Sequence, residues 1–329
     1  MDKAKAEEFS KQGDAYYQSG NYREAVRYYK RAVAVDPSTP ANHFGLGLAF
    51  YRVGEIEQAE GCFKRTLKLV PEFYDAIYYR GRCLEGRGRL SEAVEVYADY
   101  LKKCPDDAKA VNRVGLSYFK LEDNENAYSY LMKAVDAGFA TQPTYFALGV
   151  LKEKENKWAE AISFFDKASE MKSHVIGVWY HKGLCYMQLG QNDKALPCLE
   201  RELSLDPRNE NALYSRGMIL SDIEKYAEAI RCFNEVLLIN PKRVDALVAR
   251  GNVYSNITEF ERAVEDYQAA LRVDEAYLPA YENLGFLFWK NEQFEEALSY
   301  YRDAYNLKQS ERIAGIMNTI RQDMQEAGT

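Results

Sequence analysis

The chain has 329 residues, with 43 lysines and arginines against 50 aspartates and glutamates, a formal net charge of −7. That balance argues against a general binder of nucleic acid or of anionic membranes. The polar start MDKAKAEEFSKQ lacks the apolar core of a secretory signal, and no run approaches 18 apolar residues, so neither a leader nor a membrane span is expected.

The first predicted element is a helix from about Lys3 to Ser19. A turn at Gly20-Asn21 leads to a second helix from about Tyr22 to Val35, which Pro37 closes. Adding 34 to Gly13 reaches Gly47, then Gly81, Gly115, Gly149, Gly183, Gly217, Gly251 and Gly285. The same step from Ala25 reaches Ala59, Ala93, Ala127, Ala161, Ala195, Ala229, Ala263 and Ala297. A fixed period without insertion means tandem repeats, here starting near 6, 40, 74, 108, 142, 176, 210, 244 and 278. Each mid-helix glycine costs about 0.5–1 kcal/mol relative to alanine. Close approach of the second helix offsets that cost, and the repeated alanine is the expected counterpart. One unit cannot repay its own chain entropy, whereas a stack buries a continuous core.

Further along, the turn recurs at Gly54-Glu55 and Gly88-Arg89. Phe139 and Ser173 stand where other units have proline, so Gly138 is expected to stop its helix as a left-handed cap. Pro143 and Pro279 suit the first turn of the helices they begin. Pro197 predicts a late start or a bend near Lys194–Pro197, with Asn192 or Asp193 as the N-cap. After the ninth unit, Ile313, Ile316, Met317, Ile320 and Met324 share one face of a predicted helix, 310–327, that begins at the N-cap Ser310. It is expected to cover the open end of the stack near Leu298 and Tyr301.

The chemistry-bearing residues are sparse. The six cysteines (Cys62, Cys83, Cys104, Cys185, Cys198, Cys232) form no C-x-x-C pair and read as packing residues in a reducing cytoplasm. His43, His174 and His181 have no ligand spacing, and His43 falls at a packing position. No phosphate loop or metal motif is present, so neither an enzyme, nor a cofactor, nor a metal site is expected.

With Ala6 as position 1, the glycine is position 8 and the alanine position 20, flanked by Phe9, Tyr16, Tyr29, Ala32 and Pro37. This pattern resembles the tetratricopeptide repeat over nearly the whole chain, from Ala6 to about Glu311. The resemblance implies an all-α, right-handed superhelical solenoid of antiparallel helix pairs, one domain over 1–329, with a C-terminal capping helix. It also implies that the first helix of each pair lines a concave groove, with ligand contacts at positions 2, 5, 6, 9, 12 and 13.

Carried onto this chain, position 5 gives Phe44, Tyr78, Asn112, Phe146, Tyr180 and Tyr214. Position 9 gives Leu48, Arg82, Leu116, Val150, Leu184 and Met218, and position 12 gives Tyr17, Tyr51, Phe119, Met187 and Trp289. Six units put an apolar residue at position 9, Phe286 being the sixth, while Asp14, Arg82 and Asn252 are polar. Lys109 and Arg113, at positions 2 and 6 of the fourth unit, join Arg82 in a basic cluster, with Asp75 and Glu85 as local partners. The family's chaperone-tail clamp is incomplete, because Phe44, Leu48 and Tyr79 stand at its other positions. The expected function is a cytoplasmic scaffold that holds a peptide or helical segment of a protein partner. The alternative is self-association, with the C-terminal helix inserted into the groove of another copy.

Overall fold

The computed structural model describes residues 2–171 and 176–328; Ser173 and His174, singled out above, lie outside them. Among the described residues there are nineteen helices. The first helices of the pairs are α1 (Asp2–Gln18), α3 (Pro40–Val53), α5 (Tyr74–Gly86), α7 (Ala108–Lys120), α9 (Gln142–Lys154), α11 (Val178–Gln188), α13 (Glu210–Asp222), α15 (Val244–Asn256) and α17 (Leu278–Lys290). The second helices are α2 (Tyr22–Val35), α4 (Ile56–Leu69), α6 (Leu90–Leu101), α8 (Asn124–Asp136), α10 (Trp158–Glu170), α12 (Asn192–Leu205), α14 (Tyr226–Ile239), α16 (Phe260–Val273) and α18 (Phe294–Leu307). A last helix, α19, spans Glu311–Glu326.

Every second helix starts 34 residues after the one before, because the turn ahead of it is the same. Its left-handed residue is Gly20, Gly54, Gly88 or Gly190 in four units, but Glu122, Asn156, Glu224, Thr258 or Glu292 in the other five. The side chains accept a conformation that glycine adopts without penalty. Gly138 also has φ +75°, the expected left-handed stop.

The chain falls into two compact units, Met1–Ser173 and His174–Thr329. Within each, a second helix packs on the first helices before and after it, and first helices touch their successors, as in α1–α3, α7–α9, α13–α15 and α15–α17. The repeated alanines, Ala25 to Ala297, are all fully buried.

The glycines correct one expectation. A Cβ at Gly13 would lie 2.9 Å from the Tyr29 ring, at Gly81 2.6 Å from Tyr97, at Gly149 2.4 Å from Phe165 and at Gly251 2.7 Å from Tyr267. The counterpart of the glycine is therefore the large side chain at position 24, not the alanine at position 20. That side chain lies against the bare backbone, and its burial offsets the glycine's cost.

The start of the helix that holds Pro197 is a second correction. α12 begins on schedule at Asn192 with Gln191 as N-cap and runs 14 residues, so no late start occurs. Pro197 has no N–H to offer the Asp193 carbonyl, and Asp193 and Pro197 are both exposed, so water can take its place.

Two devices secure the second unit. Fully buried Glu202 accepts from the backbone N–H groups of Gly177 (2.9 Å) and Tyr180 (3.3 Å), capping α11 from a neighbouring helix. α19 buries Ile313, Met317 and Ile320 against Phe294, Ala297 and Tyr301, with Leu298 at the edge, as expected of a cap.

Candidate functional site

The position-5 rings owe their placement to the same glycine contact. Phe44 lies 5.7 Å from Phe63, Tyr78 5.9 Å from Tyr97, Phe146 6.1 Å from Phe165 and Tyr214 5.8 Å from Phe233. Each packs on the position-24 ring of its own pair, half-buried, so these rings are wall more than free surface. Tyr180, also half-buried, has His181 beside it at 5.3 Å.

Position 9 follows position 24. Where position 24 is Phe63, Leu131, Phe165, Leu199 or Phe233, position 9 is Leu48, Leu116, Val150, Leu184 or Met218, each half-buried. Where position 24 is tyrosine, a polar group usually stands opposite. Tyr29 donates its hydroxyl to Asp14 (2.5 Å) and Tyr267 donates to Asn252 (2.7 Å). Burial and the Asp14 carboxylate both push the Tyr29 phenol upward. Arg82 stands in the corresponding place in the Tyr97 pair, with its guanidinium over the Tyr51 ring at 5.4 Å. The last pair breaks the pattern: Phe286 faces Tyr301 and is 52 % exposed. Asp14 and Asn252 thus answer buried hydroxyls, a pairing fifteen residues apart that was visible in the sequence, whereas the buried Tyr97 hydroxyl opposite Arg82 has no hydrogen-bond partner.

In the first unit the basic cluster does converge. A pocket of about 550 Å3 is lined by Tyr78, Tyr79, Arg82, Tyr100, Lys109, Asn112, Arg113 and Leu116, with Asp75 and Asp107 on its wall. An adjoining pocket of about 370 Å3 is lined by Glu85, Arg113, Leu116, Ser117, Phe119, Lys120, Pro143 and Phe146. Arg113, Leu116 and Pro143 belong to both. Asn112 is buried and its Oδ1 accepts from Thr144 (2.7 Å), so it ties α7 to α9. Of the two local partners, Glu85 is taken up: its Oε2 lies 3.8 Å from Arg82 Nε and 3.5 Å from Arg113 Nη1.

In the second unit Arg243 covers the Tyr214 ring at 4.8 Å. Trp289 is committed to the cap, its Nε1 donating to Asp323 of α19 (2.8 Å). A smaller pocket of about 330 Å3 holds Asn252, Ser255, Asn256, Tyr267, Asn283 and Phe286. Leu184 and Met218 lie on α11 and α13, outside the pockets described.

His43, Cys62 and Cys83 are packing groups. His43 is buried, with Nε2 2.9 Å from the Pro37 carbonyl. Burial pushes the Cys62 thiol up to about 11 and Cys83 up to about 12, the opposite of a reactive thiolate. Among the described residues no group of His, Cys, Asp and Glu could hold a metal ion, and no helix is long and apolar enough to cross a membrane.

Family models described as TPR repeat or tetratricopeptide repeat match residues 13–54, 44–108, 108–137, 177–209, 210–243 and 248–311. Protein CTR9 homolog of Arabidopsis thaliana is 27% identical over 246 residues, 61% of this chain and 22% of its own length. BBSome complex member BBS4 homolog of Drosophila melanogaster is 22% identical over 60% of this chain and 50% of its own length. The chain thus spans at most half the length of these curated relatives. Among solved structures, the YrrB protein, described as a TPR protein with an unusual peptide-binding site, aligns at TM-score 0.52 and 22% identity, over 57% of this chain and 96% of that one. The Cut9–Hcn1 hetero-tetramer of APC/C aligns at TM-score 0.54 and 14% identity, over 96% of this chain and 76% of that one. At these identities the structural likeness speaks for the fold alone.

Proposed function

Because the chain belongs to the tetratricopeptide repeat family, we propose that this protein–protein interaction scaffold holds an extended or helical peptide segment of its partner against its first-helix face. The observation that carries this reading is the pair of adjoining pockets in the first unit. One has three cations on its wall, Arg82, Lys109 and Arg113, in a chain that is acidic overall. The other is mostly apolar, with Leu116, Phe119 and Phe146. A partner carboxylate suits the first, since an arginine fork accepts it bidentately, and a partner's apolar side chain suits the second. Charge then sets orientation and on-rate more than affinity. The relatives give this context: one is named as a member of a multiprotein complex, and one fold neighbour is described with a peptide-binding site.

Self-association through α19 has less support, because the apolar face of that helix is occupied by α18 and Trp289. The test is affinity capture followed by mass spectrometry with the wild type, Arg113→Ala and Leu116→Asp. Arg113→Ala is expected to weaken capture in a salt-dependent way, and Leu116→Asp, in the lining of both pockets, at all salt levels. Unchanged capture by both would move the binding surface away from the first-helix face.

A further inference from the structure

The corner between α5 and α7 already holds a carboxylate of the chain itself. The Glu85 side chain is 13% exposed. Its distances to Arg82 and Arg113, 3.8 and 3.5 Å, are too long for charge-assisted hydrogen bonds, so neither arginine has a full partner in Glu85. Its Oε1 accepts from the Ser117 hydroxyl at 3.2 Å. The groups facing it are Arg82 on its own helix, Arg113 and Ser117 on α7, and the wholly buried Tyr97 on α6. Burial pushes the Glu85 carboxyl above the usual carboxylate range even though the two arginines pull it down. Glu85 lines the apolar pocket, beside the arginine that both pockets share.

Resting on the peptide reading above, we propose that Glu85 is a built-in competitor. It occupies the Arg82–Arg113 pair in the free protein and gives it up, taking one proton, when an acidic side chain of the partner enters. A large apolar side chain next to that acid then seats among Leu116, Phe119 and Phe146. The charges balance: the partner brings one negative charge, and a proton from solvent neutralises Glu85, so the net charge of the corner is the same before and after. The direction follows from electrostatics, because a second carboxylate within a few ångströms raises the affinity of the first for its proton. Binding therefore weakens as pH rises through the range where free Glu85 loses its proton. It also weakens at low pH, where the partner's own carboxylate is neutralised.

The probe is the capped peptide acetyl-Gly-Asp-Phe-Gly-amide, titrated into the full chain by NMR and by calorimetry in buffers of different ionisation heat. The wild type is expected to take up a proton on binding and to lose affinity about threefold or more as pH rises through the range where free Glu85 loses its proton. Glu85→Gln keeps the shape and the Ser117 contact. It is expected to bind at least about threefold tighter at the upper end of that range, with no proton uptake. The 13C resonance of the Glu85 carboxyl, followed in the wild type, should show its pKa rise when the probe is saturating. Arg113→Ala, and a probe with asparagine in place of aspartate, should both lose binding. If Glu85→Gln binds no tighter, or proton uptake persists in it, the competitor role is overturned while the peptide reading stands on Arg113→Ala. If neither wild type nor Glu85→Gln binds the probe, or Arg113→Ala binds it equally, both readings fall.

Discussion

Arginines near the first-helix face have different partners in the two units. In the second unit Arg250 makes two short bonds to Asp266 of α16, 2.8 and 2.6 Å, and Asp266 is buried. That arginine is part of the packing between a first helix and its second. In the first unit Arg82 and Arg113 share one carboxylate at distances too long for hydrogen bonds, beside a pocket. Net charge follows the same division: residues 1–173 carry 26 basic and 26 acidic side chains, whereas 174–329 carry 17 and 24. The whole net charge of −7 therefore lies in the second unit. Arg250 there is held by a buried acid, and an arginine left under-paired in the neutral unit beside a pocket is the better candidate for a partner. Pairing geometry, more than residue type or overall charge, separates a structural arginine from an available one.

The largest expected effect concerns the end that only the second unit has. Deleting 310–329 removes three buried side chains, Ile313, Met317 and Ile320, each worth about 1.5–3 kcal/mol before ordering entropy is subtracted. It also removes the Trp289–Asp323 bond. Thermal unfolding followed by Trp fluorescence should show a lower melting temperature, with aggregation of the newly exposed face. An unchanged melt would show that α19 is not a cap.

A smaller effect sharpens the comparison within the repeat itself. At Gly149 in the first unit a Cβ would meet Phe165 at 2.4 Å, whereas at Gly183 in the second it would meet Leu199 at 3.1 Å. Gly149→Ala should cost about 1–3 kcal/mol from overpacking. Gly183→Ala should come out near neutral, because a flexible leucine can give way and helix propensity returns up to about 1 kcal/mol. Urea denaturation of the two variants checks the order. Equal losses would mean that the ring at position 24 is not what the glycine serves.

The fold was legible because its signal repeats. Nine glycines in one register fixed the period and with it the helix pairs; the left-handed stop at Gly138 was read from a missing proline and the cap from the helical spacing of Ile313, Ile316, Met317, Ile320 and Met324. What glycine contacts was not legible, because the alanine at position 20 and the ring at position 24 share its period. The turn was read only where it contains glycine. At Thr258, φ is +63° on a β-branched residue, whose amide donates to the Ser255 carbonyl (3.3 Å) and whose hydroxyl donates to the Ile257 carbonyl (2.6 Å). Thr258→Gly should therefore stabilise the chain by about 1 kcal/mol, again read by urea denaturation. Of the candidate site, the convergence of Arg82, Lys109 and Arg113 was readable from repeat positions. That Asn112 is bound to Thr144 and Trp289 to Asp323 was not, because both partners lie on the next element in the stack.

The distinction between available and structural arginines is tested most directly by one side-by-side measurement, the urea unfolding of Arg113→Ala and Arg250→Ala. Arg250→Ala strands the buried Asp266 carboxylate and should cost about 3 kcal/mol. Arg113→Ala removes only a long, partly exposed pairing and should cost less than about 1 kcal/mol. Equal losses, or a larger one for Arg113→Ala, would make the first unit's corner a structural ion pair and contradict its assignment as the place where a partner binds.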